Sequence, residues 1–264
     1  MIFSVITINF NNCEGLQRTI ESVIGQTFKD YEFIVIDGGS TDGSVDVIKE
    51  KAVSMSYWIS ERDNGIYHAM NKGVAQAHGD YCIFMNSGDC FYSNTVLLNI
   101  KNVCSEDIII GRVSVNKPGV IISPPPKGEL TFYHLYSGSI PHQGSFIRTE
   151  LLKKYPYDEN LRISSDWKFF VQTLIIDNFS VRSVDDYIAK YDLNGFSSEN
   201  PQLMREEKEN ILKELMPPRV LEDFRNMKAS ECLTQSLTPR LRNNYGIDKI
   251  LYRIGVFLLK MRGS

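Results

Sequence analysis

Residues 33–36, Phe-Ile-Val-Ile, form an unbroken apolar run stopped at once by Asp37, Gly38 and Gly39. Four apolar residues are too few for a buried helix, so the run reads as a strand buried on both faces. Such strands belong to parallel sheets covered by helices, in which ligands bind just beyond the carboxyl ends of the strands. Asp37 stands at such an end with a carboxylate to offer a ligand donor; the plainer alternative is that it only orders the turn. Ser40 or Thr41 is placed to cap a helix from about residue 42 to 51.

The same alternation surrounds this stretch. Strands are expected at 2–9, 56–60 and 81–85, and helices at 13–26 and 65–78. Leu16, Ile20, Val23 and Ile24 share one face of the first helix, and Ile66, Met70, Val74 and Ala77 one face of the second. Strand and helix in alternation imply an α/β fold, with a mainly parallel, Rossmann-like sheet and right-handed crossovers. From about 105 the pattern changes. Strands are expected at 107–115, 120–122, 144–148, 179–183 and 187–191, with a proline loop at 124–126. A helix over 164–176 would bury Trp167, Phe170, Val171 and Leu174. Beyond 201 the chain reads as helical and charged, and the run 205–209 as a solvated face. The expected organisation is thus a domain over 1–200, with halves 1–104 and 105–200, followed by a helical extension over 201–264.

Composition narrows the function. In 264 residues, 42% are hydrophobic, 23% are charged and the net charge is −3, which fits a soluble globular protein and not a nucleic-acid binder. The five cysteines lack CxxC spacing, so reduced thiols in a cytoplasmic setting are expected and zinc is not. The apolar first ten residues have no basic start and read as a strand rather than a signal peptide. No G-x-G-x-x-G follows the first strand, and no P-loop motif occurs. Residues 240–264 carry Arg240, Arg242, Lys249, Arg253, Lys260 and Arg262 against Asp248, interleaved with aliphatics. That pattern suits peripheral contact with the headgroups of a membrane inner face; docking on its own domain or a homodimer contact is the other reading.

Two more acidic residues hold strand-end or helix-start positions. Asp89 follows the fourth strand and could bind a divalent cation together with a diphosphate; its ordinary reading is turn closure. Asp166 opens a later helix, as a general base or simply as a cap. Several segments together resemble the family 2 glycosyltransferases. They are residues 4–12 (Ser-Val-Ile-Thr-Ile-Asn-Phe-Asn-Asn), 36–44 (Ile-Asp-Gly-Gly-Ser-Thr-Asp-Gly-Ser) and 60–73 (Ser-Glu-Arg-Asp-Asn-Gly-Ile-Tyr-His-Ala-Met-Asn-Lys-Gly). Residues 79–89 (Gly-Asp-Tyr-Cys-Ile-Phe-Met-Asn-Ser-Gly-Asp), 141–146 (Pro-His-Gln-Gly-Ser-Phe) and 163–167 (Ile-Ser-Ser-Asp-Trp) complete the set. The resemblance spans about 1–200 and is greatest to bacterial enzymes of capsule, O-antigen and exopolysaccharide assembly.

The resemblance implies a GT-A fold and a role for each matched position. Thr7, Asn9 and Phe10 would line the nucleotide pocket, Phe10 stacking on the base, and Asp37 would accept the N3–H of uracil. Asp63, Asn64 and Gly65 would border the donor, with Asn71 and Lys72 farther along and Lys72 reaching for the phosphates. Asp89 would be the metal-binding end of the D-x-D motif, holding Mn2+ or Mg2+; Asn86 or Ser87 fills the earlier acidic position, with Ser87 on the donor side. Asp166 would be the catalytic base, His142 and Gln143 would border the acceptor, and 195–197 would close over the site. His68 stands where related sequences often carry Asp. The implied reaction is inverting transfer from a nucleotide-sugar, a UDP-sugar foremost, to a saccharide or lipid-linked saccharide acceptor. A sugar nucleotidyltransferase and a non-catalytic nucleotide-sugar-binding subunit are the rival readings.

Overall fold

The computed structural model describes residues 1–115, 121–122, 129–191 and 200–229. Strand β1 (Phe3–Asn9) is buried along its whole length because a parallel strand lies on each side of it. Its neighbours are β2 (Tyr31–Asp37) and β4 (Tyr81–Phe84), and β3 (Tyr57–Ser60) pairs with the far side of β2. This half of the sheet is parallel, as the strand–helix alternation requires. Beyond β4 it becomes mixed, through β5 (Cys90–Phe91), β6 (Ile108–Val115), β7 (Ile121–Ile122), β8 (Ser145–Arg148) and β9 (Val181–Tyr191). The order is β3-β2-β1-β4-β8-β6-β9-β5, with β7 paired to β6. Strand β8 runs antiparallel to both β4 and β6, while β9 is parallel to β6.

Helices cover both faces. Asn12 accepts the Gly15 N–H (3.1 Å) and so starts α1 (Cys13–Ile24). Its Leu16, Ile20 and Val23 join Phe3, Val5, Phe33 and Val35 in one core cluster. Each such side chain, fully buried, contributes about 1.5–3 kcal/mol of hydrophobic stabilisation. On the opposite face α3 (Ile66–Ala75) buries Tyr67, Met70 and Val74 and approaches β1 and β2 closely at Gly73, beside Ile6 and Ile36. The remaining helices are α2 (Ser44–Lys51), α4 (Val96–Ile100), α5 (Phe132–Ser137), α6 (Thr149–Lys154), α7 (Ser165–Phe170) and α8 (Pro201–Leu215). A π-helical turn, Val171–Ile176, continues α7.

Three local expectations change. The residue before α2 is Gly43, at a φ of 97° that favours glycine, and no side chain caps it there. Asp42 instead accepts the Ser44 and Cys13 N–H groups, and Ser40 turns back to Asp37. The two closing strands form one, β9, because register shifts opposite Arg112 absorb the irregularity at Asp185 and Asp186. Third, the run 205–209 is not all solvated: Glu207 on α8 is buried.

The chain divides into two compact units, Met1–Ile211 and Leu212–Ser264. Among the described residues Cys13, Cys82, Cys90 and Cys104 are free, and burial pushes the Cys82 thiol up to about 12. No described helix is long and apolar enough to cross a membrane. The proline loop at 124–126, the closing segment 195–197, Cys232 and the basic stretch 240–264 lie outside the described residues.

Candidate active site

Register brings the chemistry-bearing residues to one edge of the sheet. Asn9 and Asp37 are paired at the carboxyl ends of β1 and β2. The turn after β4 is pinned beside them: Met85 N–H donates to the Ile6 carbonyl (2.8 Å) and Ser87 N–H to the Ile8 carbonyl (3.0 Å). Residues 86–89 therefore end up next to Asn9 whatever their side chains do.

Asp37 is fully buried and accepts five hydrogen bonds. Oδ1 takes the Asn9 amide (2.7 Å) and the Ser40 hydroxyl (2.6 Å). Oδ2 takes the Gly39 and Ser40 N–H groups (3.2 and 2.9 Å) and the Ser60 hydroxyl (2.6 Å). A carboxylate has about four lone-pair sites, and these five bonds take up those of Asp37. Burial alone would raise its pKa, but the bonds from Ser40, Ser60 and Asn9 outweigh that and lower it. Gly38 follows as bare backbone. A Cβ there would lie 2.6 Å from Asp63 Oδ2 and 3.2 Å from the Phe10 ring, so those two side chains close over bare backbone. Phe10 itself is 63% exposed at the rim.

Other residues assigned to the donor are occupied differently. Thr7 is fully buried and donates to the Met85 carbonyl (2.7 Å). Asn71 donates to the Tyr157 carbonyl and accepts the Tyr157 N–H (2.8 and 3.0 Å), stapling α3 to the 157–159 segment. Lys72 is ion-paired with Glu61. Asp63 accepts the Gly65 N–H (3.0 Å), and His68 Nδ1 accepts the Asn64 N–H (3.2 Å), so both side chains order the entry to α3. Asn64 and Gly65 are exposed there. Ser87 receives the Asn12 amide on its carbonyl (3.0 Å).

Asp166 opens α7. Its Oδ1 accepts the Trp167 N–H (2.9 Å) and lies 3.1 Å from the Tyr67 hydroxyl, and its Oδ2 lies 3.0 Å from His142 Nδ1. His142 Nε2 is 3.1 Å from the Asn86 amide. A continuous chain thus runs from Asp166 through His142 to the turn that carries Asp89. Burial on its own would pull the His142 imidazole down; the hydrogen bond and charge of Asp166, with the charge of Asp89, outweigh it and leave its pKa raised. Burial drives Tyr67 and Tyr157 well above their ordinary values, the Asp166 charge adding to it, so both stay protonated. The Tyr157 ring packs against Tyr67, Phe84 and Phe169, an apolar wall behind the carboxylate. Gln143 follows in the same short turn, His142–Gly144.

Glu207 is the residue that sequence reasoning missed. From α8 its carboxylate accepts the N–H groups of Arg162 (2.7 Å), Ile163 (3.0 Å) and Ser164 (2.9 Å), the stretch leading into Asp166. No local signal distinguishes it from its charged neighbours. Buried polar atoms without partners include Asn9 Oδ1, Asn86 Oδ1, Tyr157 Oη and the Ser164 and Ser165 hydroxyls, all near this edge. Unspent hydrogen-bonding capacity of that kind calls for a ligand or bound water. A cavity of about 310 Å³ between His78 and Lys153 contains none of these groups.

Among the described residues no three histidines, cysteines or carboxylates gather as a ready-made metal site. Asp89, nearly buried, is the one carboxylate of its turn. That arrangement fits a cation that arrives with a diphosphate and keeps the phosphate oxygens and waters as its other ligands.

Comparison with known proteins agrees with this layout. The family model described as Glycosyl transferase family 2 matches residues 4–155. An uncharacterised glycosyltransferase of Mycobacterium tuberculosis is 34% identical over 210 residues, covering 74% of this chain and 76% of that one. Staphylococcus aureus TarS 1–349, solved with UDP-GlcNAc, superimposes with a TM-score of 0.65 at 20% identity, over 81% of this chain and 66% of that one. Glucosyl-3-phosphoglycerate synthase of M. tuberculosis, solved with Mn2+, UDP and glucosyl-3-phosphoglycerate, gives 0.56 at 17% identity, over 82% and 81%.

Proposed function

Given that the chain belongs to glycosyl transferase family 2 and has the GT-A fold, we propose that it moves a sugar from a UDP-sugar to a hydroxyl of a saccharide or lipid-linked saccharide acceptor, with inversion, in cell-surface polysaccharide assembly. One observation carries this reading: Asp166 is held by His142 and Trp167, with a lone pair of Oδ2 unfilled among the described residues, and hydrogen bonds link it to the Asp89 turn. The UDP and UDP-sugar bound by the two solved neighbours support the choice of donor.

In this reading the base of the donor rests on the Gly38 floor under Phe10, and Asp63, Asn64 and Gly65 border it. Asp89 would hold the cation that accompanies the diphosphate, Mn2+ or Mg2+, whose charge would ease departure of the nucleotide. Asp166 Oδ2 takes the proton from the acceptor hydroxyl. The freed oxygen bonds to the anomeric carbon from the face opposite the diphosphate as the bond from that carbon to the phosphate oxygen breaks. One displacement inverts the centre and releases a nucleoside diphosphate. The aromatic wall keeps water, a competing nucleophile, away from the base. A positioned base contributes about 10²- to 10⁴-fold.

The test is Asp166→Asn, assayed with UDP- and GDP-sugars, with and without Mn2+, for release of nucleoside diphosphate in the presence of acceptor. Donor affinity should hold while transfer falls by about 10²-fold or more. Near-normal transfer would remove Asp166 from the base role, and release of pyrophosphate would replace the reaction with nucleotidyl transfer.

A further inference from the structure

Of the four lone-pair sites a carboxylate offers, Asp166 has two on Oδ1 facing the Trp167 N–H and the Tyr67 hydroxyl. Oδ2 has a single donor among the described residues, His142 Nδ1. His142 and Asp166 come from different elements, 24 residues apart, so this bond is a tertiary choice. The imidazole is itself fixed from three sides: Asn86 on Nε2, Asp166 on Nδ1, and the edge-on Phe84 ring with centroids 6.4 Å apart. An imidazole tied at both nitrogens cannot turn, and a carboxylate held by an immobile donor cannot turn either.

Asn86 matters to this arrangement. It belongs to the stretch where the D-x-D pattern places its earlier acid. An acid there could only accept from Nε2, whereas an amide can donate to a neutral imidazole or, turned over, accept from an imidazolium. Its Oδ1, buried and without a partner, is the group that such a turn would bring to Nε2–H. Asn86 can therefore hold His142 in either protonation state.

We propose that His142, anchored by Asn86, is the positioning residue that sets the Asp166 carboxylate so that the remaining lone pair of Oδ2 faces the acceptor hydroxyl. This rests on the reading of Asp166 as the base. The titratable groups that face the pair are Asp89 from the turn after β4, Tyr67 from α3 and Tyr157 from the segment before α7. Of these, the tyrosines stay protonated over the assay range.

The experiment compares His142→Phe, which fills the space without a donor, with His142→Asn, whose amide reproduces a donor at the Nδ1 position. Transfer kinetics are followed from pH 5 to 9 in the full chain, with UDP binding and thermal melting measured alongside. The phenylalanine should lower kcat about 10- to 100-fold, part of what a general base supplies, with the donor KM unchanged. The asparagine should restore most of kcat at the same donor KM. In the Asp166→Asn background, His142→Phe should cost nothing further. Should the phenylalanine variant not fold, His142→Gln takes its place, since its amide reaches the Nε2 position and leaves Oδ2 without a donor.

A wild-type kcat in the donorless variant, with Asp166→Asn inactive, overturns the role of His142 while leaving the base intact. A loss of melting temperature and kcat together that the asparagine does not restore does the same. Full transfer by Asp166→Asn overturns the reading of the base instead, so the two failures are separable.

Discussion

Burial alone would raise the Asp37 carboxyl, yet its hydrogen bonds hold it below the ordinary 3.8. A folded-state value below the unfolded one stabilises the protein above about pH 3.8, and that contribution is lost as pH falls through the folded value. Asp37→Asn should therefore melt lower than wild type at pH 7, by about 1–3 kcal/mol for the donors it leaves unpaired. The gap should narrow as melts are taken down toward pH 3, and a constant gap would show that the charge of Asp37 contributes nothing. The position of this residue was legible, because an apolar run stopped by Asp-Gly-Gly has one reading. Its lone pairs were not. Ser60 is 23 residues away and Asn9 28, and whether they fill Oδ1 and Oδ2 depends on how β1, β2 and β3 align. Thr7 repeats the lesson: a polar residue at the end of a strand can face a ligand or a neighbouring carbonyl, and here the Met85 carbonyl has it.

At the level of elements, α8 is tied to the stretch that leads into Asp166 through one carboxylate. Glu207 gathers three successive N–H groups just before α7, and without it the buried Ile163 and Ser164 donors would lose their acceptor. Glu207→Ala should lose about 3 kcal/mol of stability, the order expected when hydrogen bonds to a charged acceptor are removed. It should also lower kcat more than it weakens donor binding, because the loosened stretch carries Asp166 and not the pocket floor. Calorimetry together with UDP titration checks this; unchanged melting, or a loss confined to donor affinity, would contradict it. The sequence of α8 conceals this role. Glu206, Glu207 and Glu209 look alike, and only the rotation of the helix sends one of them inward. Where neighbours in sequence decide, as with the apolar stripe of α1 or the glycines before α2 and α3, the reading holds to within a few residues.

Taken as a whole, the molecule gathers its candidate site along the carboxyl edge of a sheet whose first half is parallel and whose second half is not. A ligand bound only by the folded state stabilises it, by about 2.7 kcal/mol at a hundred times its Kd. UDP with Mn2+ should raise the melting temperature more than UDP alone, and Asp89→Ala should abolish the difference, leaving the UDP effect. An Mn2+ effect that survives in Asp89→Ala would place the cation elsewhere. The amino-acid sequence by itself determined the strand–helix alternation, the turns at strand ends and the family motifs, since these depend on residues within a few positions of one another. Only the tertiary structure decided which polar groups are spent and which are left for a ligand. Asn86 meets His142 across 56 residues and Glu207 meets Arg162 across 45. A hydrogen bond needs its donor and acceptor within about 3 Å, and no pattern along the chain sets a distance that the packing of separate elements creates.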